Sequence, residues 1–382
     1  MFKKLLYYLT LLGLTLSNTT QVNEVKDSLI DVVIDKVKKG IEFTENGWES
    51  YEEVTLVAVG DNLIHTGVFN SGKQSDGSYT FEHLYSGISD YISQADIAVI
   101  NQETMFTEDD FSGYPLFSGP AEIGLYAYQA GFDIITHATN HSYDKGLDGI
   151  NYTLNFWNSL NVPVLGIYDS QEAYDTVYIH EIKGIKIAML NYTYGLNGLK
   201  IPKDKQYLVT LLNNEEKILK DLQYAEANAD LTIVFPHWGT EYTHKPTKEQ
   251  KRLAQLFADN GADLIIGSHP HVIEPLEYIT SINGNQVPCY YSLGNFMSAQ
   301  NEVPRVLGGL AEVKIVKTNG VAKVESCIMK PLVTHYEYGK VYTTYFLEDY
   351  SDDLASRHGL SSKGLSFDKL WTIWNDVYKE NN

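Results

Sequence analysis

The chain has 382 residues, 43% hydrophobic and 12% aromatic, a composition that excludes general disorder and supplies one large core or two modest ones. Its 29 basic residues face 49 acidic ones, a formal charge of −20. That balance excludes nonspecific binding to nucleic acid, where Lys and Arg neutralise phosphate, and leaves a polyanionic partner only local attraction.

The first residues, Met1-Phe2-Lys3-Lys4, precede an apolar stretch from Leu5 to Leu16 and the small polar residues Ser17 to Thr20. A basic start and a short apolar core have the form of a secretory signal, although no clean A-x-A site follows. The stretch is short for a membrane span, which needs about 20 apolar residues. Residues 1–20 are therefore expected to be a signal peptide or membrane anchor, and the protein to be exported, membrane-anchored at the cell envelope or extracellular. Val25, Leu29, Val32, Val33 and Val37 recur at helical spacing, which predicts a tether or added amphipathic helix over 21–50.

From Tyr51 the pattern alternates. Val54–Gly60, Ile97–Ile100, Phe132–Ile135, Leu231–Phe235 and Ala262–Ile266 read as strands, and Ala121–Ala130, Gly149–Leu160 and Lys248–Asn260 as helices, the last stopped by Gly261. Strands alternating with helices predict α/β architecture. Glu181–Tyr192 reads as a hairpin turning at Lys183-Gly184, Gly309–Val316 and Ala322–Met329 as further strands, and Phe367–Tyr378 as a helix. The domain is placed at 51–345, with a C-terminal helical extension at 346–382. Cys289 and Cys327 both sit in strand-like runs, where two buried thiols are favoured over a single bridge.

The predicted strands deliver polar residues at their ends: Asp61; Asn101 and Glu103; Asn140 and His141; His237; and His269 and His271 in Gly267-Ser268-His269-Pro270-His271. Ligands collect beyond the carboxyl ends of strands in an open α/β sheet. Imidazole nitrogen with carboxylate or amide oxygen suits zinc, manganese or iron, and a two-metal hydrolytic site needs several such groups converging from separate loops. Singly each has a structural explanation: Asp61 a helix cap, Asn140 a turn, His237 a packed core histidine. Their repeated place after a strand favours a metal site. Tyr114 and Phe117, in the Gly113–Pro120 loop, are candidates to cover a substrate. Lys245, with Lys248, Lys251 and Arg252, forms a local positive stripe of the kind that also makes a solvated helix face.

Gly60-Asp61, Asn101-Gln102-Glu103, Thr139-Asn140-His141-Ser142, Pro236-His237-Trp238-Gly239, His269-Pro270-His271 and Tyr291-Ser292-Leu293-Gly294-Asn295-Phe296 together resemble the bacterial capsule-synthesis family CapA, or poly-γ-glutamate synthesis family. That family is similar to the calcineurin-like metallophosphoesterases, so the resemblance implies a four-layer α/β/β/α sandwich. It implies metal ligation by Asp61, Asn140, His237, His269 and His271, to which the strand-end reading adds Glu103, a divalent cofactor such as manganese, zinc or iron, and His141 as proton donor beside Asp61 in the catalytic set. Lys245, Tyr114 and Asn295 become the candidate substrate contacts. The implied partners are an anionic extracellular polymer and membrane-bound polymer-synthesis subunits, with possible membrane attachment through the N-terminus and no nucleic acid.

Two departures limit the resemblance. An ordinary phosphoesterase has a histidine two residues after its first aspartate, where this chain has Leu63; His65 substitutes only if a helix starts at once and brings it one turn from Asp61. The bridging aspartate is replaced by Asn101-Gln102-Glu103. The sequence thus predicts a weakened first metal position and a poor general phosphatase. A phosphoesterase of small esters or nucleotides, and a non-catalytic polymer-binding assembly protein, are the competing readings.

Overall fold

A computed structural model describes residues 41–44, 47–337 and 341–378. The segment expected to direct export, and the apolar positions from Val25 to Val37, lie outside the described residues. In chain order the strands are β1 (Ile41–Thr44), β2 (Gly47–Asn62), β3 (Ile97–Gln102), β4 (Met105–Phe106), β5 (Ser118–Gly119), β6 (Ile134–Thr136), β7 (Val164–Leu165), β8 (Tyr178–Ile182) and β9 (Ile185–Thr193). They continue as β10 (Leu231–His237), β11 (Leu264–Ile266), β12 (Leu276–Thr280), β13 (Gln286–Tyr290), β14 (Asn295–Met297), β15 (Leu307–Thr318), β16 (Val321–Glu337) and β17 (Val341–Phe346).

Two large sheets result. One has the order β17-β16-β15-β2-β3-β6-β7, with β1 and β14 also paired to β2; the other has the order β12-β13-β11-β10-β9-β8. In the first, β14, β2, β3, β6 and β7 run parallel in their pairings; in the second, β9, β10, β11 and β13 do. Alternation along the second sheet explains how the two stack. Ile187, Met189, Ile233, Phe235, Leu264 and Ile266 join the core that holds Val57, Val59 and Ile100 of the first sheet. The intervening Leu190, Tyr192, Val234 and Ile265 pack instead with Ile218 and Leu222 of helix Glu215–Asn228 and with Leu253 and Phe257 of helix Lys248–Asp259. Leu84, Ile92, Ile123 and Ala127, from three helices, cover the first sheet. The layers are α/β/β/α, as expected.

Local chemistry sets several boundaries. Helix Lys248–Asp259 opens on a capping box between Thr247 and Gln250, and Gly261, at φ +97°, turns the chain into β11. The β8–β9 hairpin turns through Lys183 and Gly184, both at positive φ, with Ile182 opposite Ile185. The end of the segment expected to be helical is not: β1 pairs antiparallel with the start of β2, Ile41 opposite Ser50. The helical apolar spacing stops at Val37, and β2 extends far enough to offer that segment an edge. Helix Phe367–Val377 places Leu370, Ile373 and Trp374 in the main core. Cys289 and Cys327 are free, one in each sheet.

Candidate metal centre

The carboxyl ends of β2, β3 and β6 meet those of β10, β11 and β13 at one rim. Asp61 is set there by a close approach of backbones. Its N–H donates to the Gly294 carbonyl at 2.9 Å, and a Cβ at Gly60 would lie 1.9 Å from that oxygen, so only glycine fits before Asp61. The β2–β3 register shifts at this point, bringing Asp61 opposite Asn101.

Asp61 Oδ1 accepts from Asn101 Nδ2 at 2.8 Å and from the His269 N–H at 3.2 Å. His271 Nδ1 lies 3.0 Å from Asp61 Oδ2 and 3.1 Å from Asn295 Oδ1. A proton on Nδ1 serves both oxygens and leaves Nε2 as a ligand nitrogen, the arrangement that fixes tautomer and ring orientation in metal-bound histidines. His237 Nδ1 lies 2.9 Å from Ser268 Oγ; its Nε2 is 2.8 Å from Asn140 Oδ1 and 3.5 Å from Glu103 Oε1. Asn140 is steadied in turn by Asn197, whose Oδ1 accepts its amide at 3.2 Å.

Glu103, His269 and His271 each turn a ligand atom to a common point, all within 4.8 Å of one another, and can hold a metal ion. Glu103 is fully buried, yet neither carboxylate oxygen has a hydrogen-bond partner, and His269 Nδ1 has none. Buried polar atoms are rarely orphaned, because each costs about 1–3 kcal/mol. A cation between them removes that cost, so these residues fit a divalent metal. His269 and His271 also hold the left-handed backbone, at φ +100° and +58°, a conformation that persists where the surrounding structure over-determines it.

The charges of the metal-free site follow from the same contacts, and a metal would have to displace the second His271 proton. Burial opposes a charged His271, but the carboxylates of Glu103 and Asp61 hold its imidazolium up to about 9. Burial alone would raise the Asp61 carboxyl; the hydrogen bond and charge of His271, with His237 and the His269 N–H, bring it below its ordinary value. Burial and the neighbouring His237, His271 and His141 push His269 far down, keeping it neutral.

His141 lines a cleft of about 410 Å³ together with His271, Leu63, Tyr114, Tyr242 and Arg305. Its Nδ1 lies 2.6 Å from Asp144 Oδ2, which also accepts the Phe117 N–H at 2.6 Å. The Phe117 ring meets the imidazole edge-on, centroids 4.7 Å apart. This fixes the ring and leaves Nε2 free to exchange a proton.

Asp61, Glu103, Asn140, His237, His269 and His271 thus come together, with His141 and Tyr114 at the adjoining cleft; Tyr114 is largely exposed on its rim. Lys245 is exposed on the loop after β10 and is not part of that cleft's lining. Asn295 is buried with its amide spent on the His271 and Arg305 carbonyls and on Gln300, so it braces the site from behind. No helix starts after Asp61: β2 continues to Asn62, held by β3 and β14, and the helix Thr66–Ser71 begins only after His65. His65 lies instead against Phe117, centroids 5.1 Å apart, and lines the cleft. Sequence reasoning missed Asp144, Ser268, Tyr194, whose ring lies 4.5 Å from His269, and Arg305. Only Asp144 left a signal, the spacing of three from His141.

A family model described as "Bacterial capsule synthesis protein PGA_cap" matches residues 55–300. The chain is 26% identical over 308 residues to the capsule biosynthesis protein CapA of Bacillus anthracis, covering 76% of this chain and 72% of that protein. It is 32% identical over 195 residues to the PGA biosynthesis protein CapA of Bacillus subtilis (strain 168), covering 51% of this chain and 50% of that protein. Among solved structures it is similar to a phosphatase from Mycoplasma pneumoniae, at TM-score 0.45 and 18% identity, covering 74% of this chain and 94% of that one. It is similar also to the calcineurin-like phosphoesterase YfkN of Bacillus subtilis, at TM-score 0.41 and 14% identity, covering 85% and 99%.

Proposed function

The chain belongs to the bacterial capsule synthesis protein PGA_cap family, and from that premise we propose that it is an exported envelope protein acting on an anionic extracellular polymer through a metal-dependent cleft. Poly-γ-glutamate is the model substrate, in keeping with the name of the Bacillus subtilis relative. Membrane-bound synthesis subunits are the proposed partners. Among the described residues no helix is long and apolar enough to cross a membrane.

The observation that carries the reading is the buried Glu103 carboxylate, without a hydrogen-bond partner, facing His269 and His271. Glu103, His269 and His271 would hold the cation, with Asp61, Asn140 and His237 around it. Such an ion polarises an oxyanion and lowers the pKa of bound water. His141, oriented by Asp144, donates a proton to the leaving oxygen or nitrogen. Leu63 on the cleft wall offers no ligand where an ordinary phosphoesterase has a histidine, and Asn101 beside Asp61 offers only a neutral amide in place of a carboxylate, which favours a specialised substrate over general phosphate esters.

The test supplies the purified protein with manganese, zinc or iron and follows chain length of poly-γ-glutamate beside hydrolysis of an aryl phosphate. Metal-dependent change in the polymer, lost in His269→Ala, with slow aryl phosphate turnover, is expected. Fast aryl phosphate hydrolysis lost in His269→Ala, without action on the polymer, overturns the reading in favour of a phosphoesterase.

A further inference from the structure

The chain contains only three arginines, Arg252, Arg305 and Arg357. Two are spent on surface carboxylates: Arg252 bonds Glu215 and Glu249, and Arg357 bonds Asp353 and Glu337. Arg305 differs from both. It is half-buried in the cleft lined by His141 and His271, and among the described residues no carboxylate lies within ion-pair reach of it and no hydrogen bond engages its guanidinium. The guanidinium lies on the Tyr242 ring, 3.5 Å from the centroid, and the Tyr242 ring in turn neighbours His271, centroids 6.0 Å apart.

Its backbone is anchored at both ends of the residue. The Arg305 N–H donates to the Glu302 carbonyl at 3.0 Å, in the short 3-10 turn Val303–Val306. Its carbonyl accepts from Asn295 Nδ2 at 2.8 Å. The same Asn295 presents Oδ1 to His271 Nδ1 at 3.1 Å. One buried amide therefore fixes the distance between a metal-ligand candidate and a cation whose donors are unused. Tyr242 is held in matching fashion, at φ +66°, by its N–H to the Pro270 carbonyl at 2.8 Å, between the two histidines.

A planar guanidinium with its face on an aromatic ring keeps its edge donors for a ligand, and that edge matches the two oxygens of a carboxylate or phosphate. In a chain of net charge −20, the guanidinium is a local positive group that an incoming oxyanion can meet, in a cleft whose lining also includes Glu241. Resting on the reading of the cleft given above, we propose that Arg305 is the substrate-recognition residue: it takes one oxyanion of the polymer by a bidentate contact while a neighbouring unit lies at His271, which lines the same cleft and would share the metal with Glu103 and His269. The substrate class is then a chain bearing closely repeated oxyanions. Lysine is a poor replacement, because a point charge reproduces neither the fork nor the stacking.

Binding of poly-γ-glutamate oligomers, of inorganic polyphosphate and of neutral dextran to the metal-supplemented protein tests this, with metal content measured alongside. Arg305→Ala is expected to weaken the preferred polyanion roughly 10- to 100-fold, as loss of hydrogen bonds to a charged group implies. Arg305→Lys should recover only part of that, and metal content should stay unchanged. Arg252→Ala removes the same charge outside this cleft and should leave affinity intact. Tight glutamate with weak polyphosphate identifies a carboxylate as the ligand, and the reverse a phosphate. Equal loss in Arg252→Ala and Arg305→Ala, or full recovery by Arg305→Lys, overturns a specific contact. Unchanged binding in Arg305→Ala, with metal-dependent action on the polymer intact, overturns the inference and leaves the reading of the cleft in place. No binding of either polyanion by the unmodified protein overturns both.

Discussion

The protein buries two groups of histidines that differ in one respect. At the rim, His237, His269 and His271 are buried among Asp61, Glu103 and Asn140. Near the chain's end, His335 and His358 are equally buried, ring centroids 5.3 Å apart. In this second group three of the four ring nitrogens are hydrogen-bonded: His335 Nδ1 lies 2.7 Å from Tyr350 Oη, His358 Nε2 lies 3.1 Å from the Thr334 carbonyl, and the Leu360 N–H donates to His358 Nδ1 at 2.9 Å, while His335 Nε2 lies 3.6 Å from Glu337 Oε1. At the rim His269 Nδ1 and both Glu103 oxygens have no hydrogen-bond partner, and the Glu103 oxygens meet His237 and His271 only at 3.5 and 3.9 Å. Burial and clustering therefore do not distinguish a ligand from a structural histidine. Unspent lone pairs aimed at one point do.

The sharpest way to break this contrast is to remove one histidine from each group. His269→Ala should lower affinity for a divalent metal at least 100-fold, since even an outer partner of a ligand is worth roughly 10–100-fold. His358→Ala should leave metal affinity unchanged and lower stability by about 1–3 kcal/mol, because it strips partners from the Thr334 carbonyl and the Leu360 N–H. Equilibrium dialysis with metal analysis and denaturant unfolding check both. Equal metal loss in the two variants would make the orphaned atoms uninformative.

Within the rim, His141 separates proton transfer from ligation. Its Nδ1 is committed to Asp144 and, unlike Glu103, His269 and His271, it is not one of the three converging ligands. His141→Ala should reduce turnover about 10²- to 10⁴-fold with metal content nearly unchanged. Parallel loss of metal would place it with the ligands instead.

The sequence made the delivery of these residues legible and left their division of labour hidden. Asp61, Glu103, His237, His269 and His271 each follow an apolar run, and a run of that kind becomes a buried parallel strand whichever neighbour it finds, so its end is predictable. The hairpin at Lys183-Gly184 and the stop at Gly261 were legible for the same local reason. Arg305 was not. Its significance depends on Tyr242, on Asn295 and on the lack, among the described residues, of a carboxylate within ion-pair reach, which are facts of tertiary packing with no spacing to announce them. Asn295 reads as a substrate contact from its motif and proves to be a brace. His65 shows the converse: the condition on which it could replace the missing ligand, a helix directly after Asp61, is not met, because pairing of Asp61 with both Asn101 and Asn295 carries the strand on to Asn62.

The smallest expected effect is in the pH dependence of stability, where the two groups should move in opposite directions. Without metal, Glu103 and Asp61 overcome burial to raise His271 to about 9. The folded state then binds a proton that the unfolded chain, near 6.5, releases. That contribution is fully present below about pH 6.5 and is lost as pH rises through about 9. His358 is displaced downward, to about 4, by burial, with the Thr334 carbonyl opposing and His335 adding to the shift. Its contribution is present above about pH 6.5 and is lost as pH falls through about 4. Each is worth at most about 3 kcal/mol on the scale of 1.36 kcal/mol per pKa unit. Unfolding of the metal-free protein and of its His271→Ala and His358→Ala variants should show the alkaline slope reduced in the first and the acid slope in the second. Saturating metal should remove the His271 slope, because ligation requires the neutral imidazole and binding displaces the proton. An alkaline slope that persists unchanged in His271→Ala would show that the carboxylates around it do not hold a proton there.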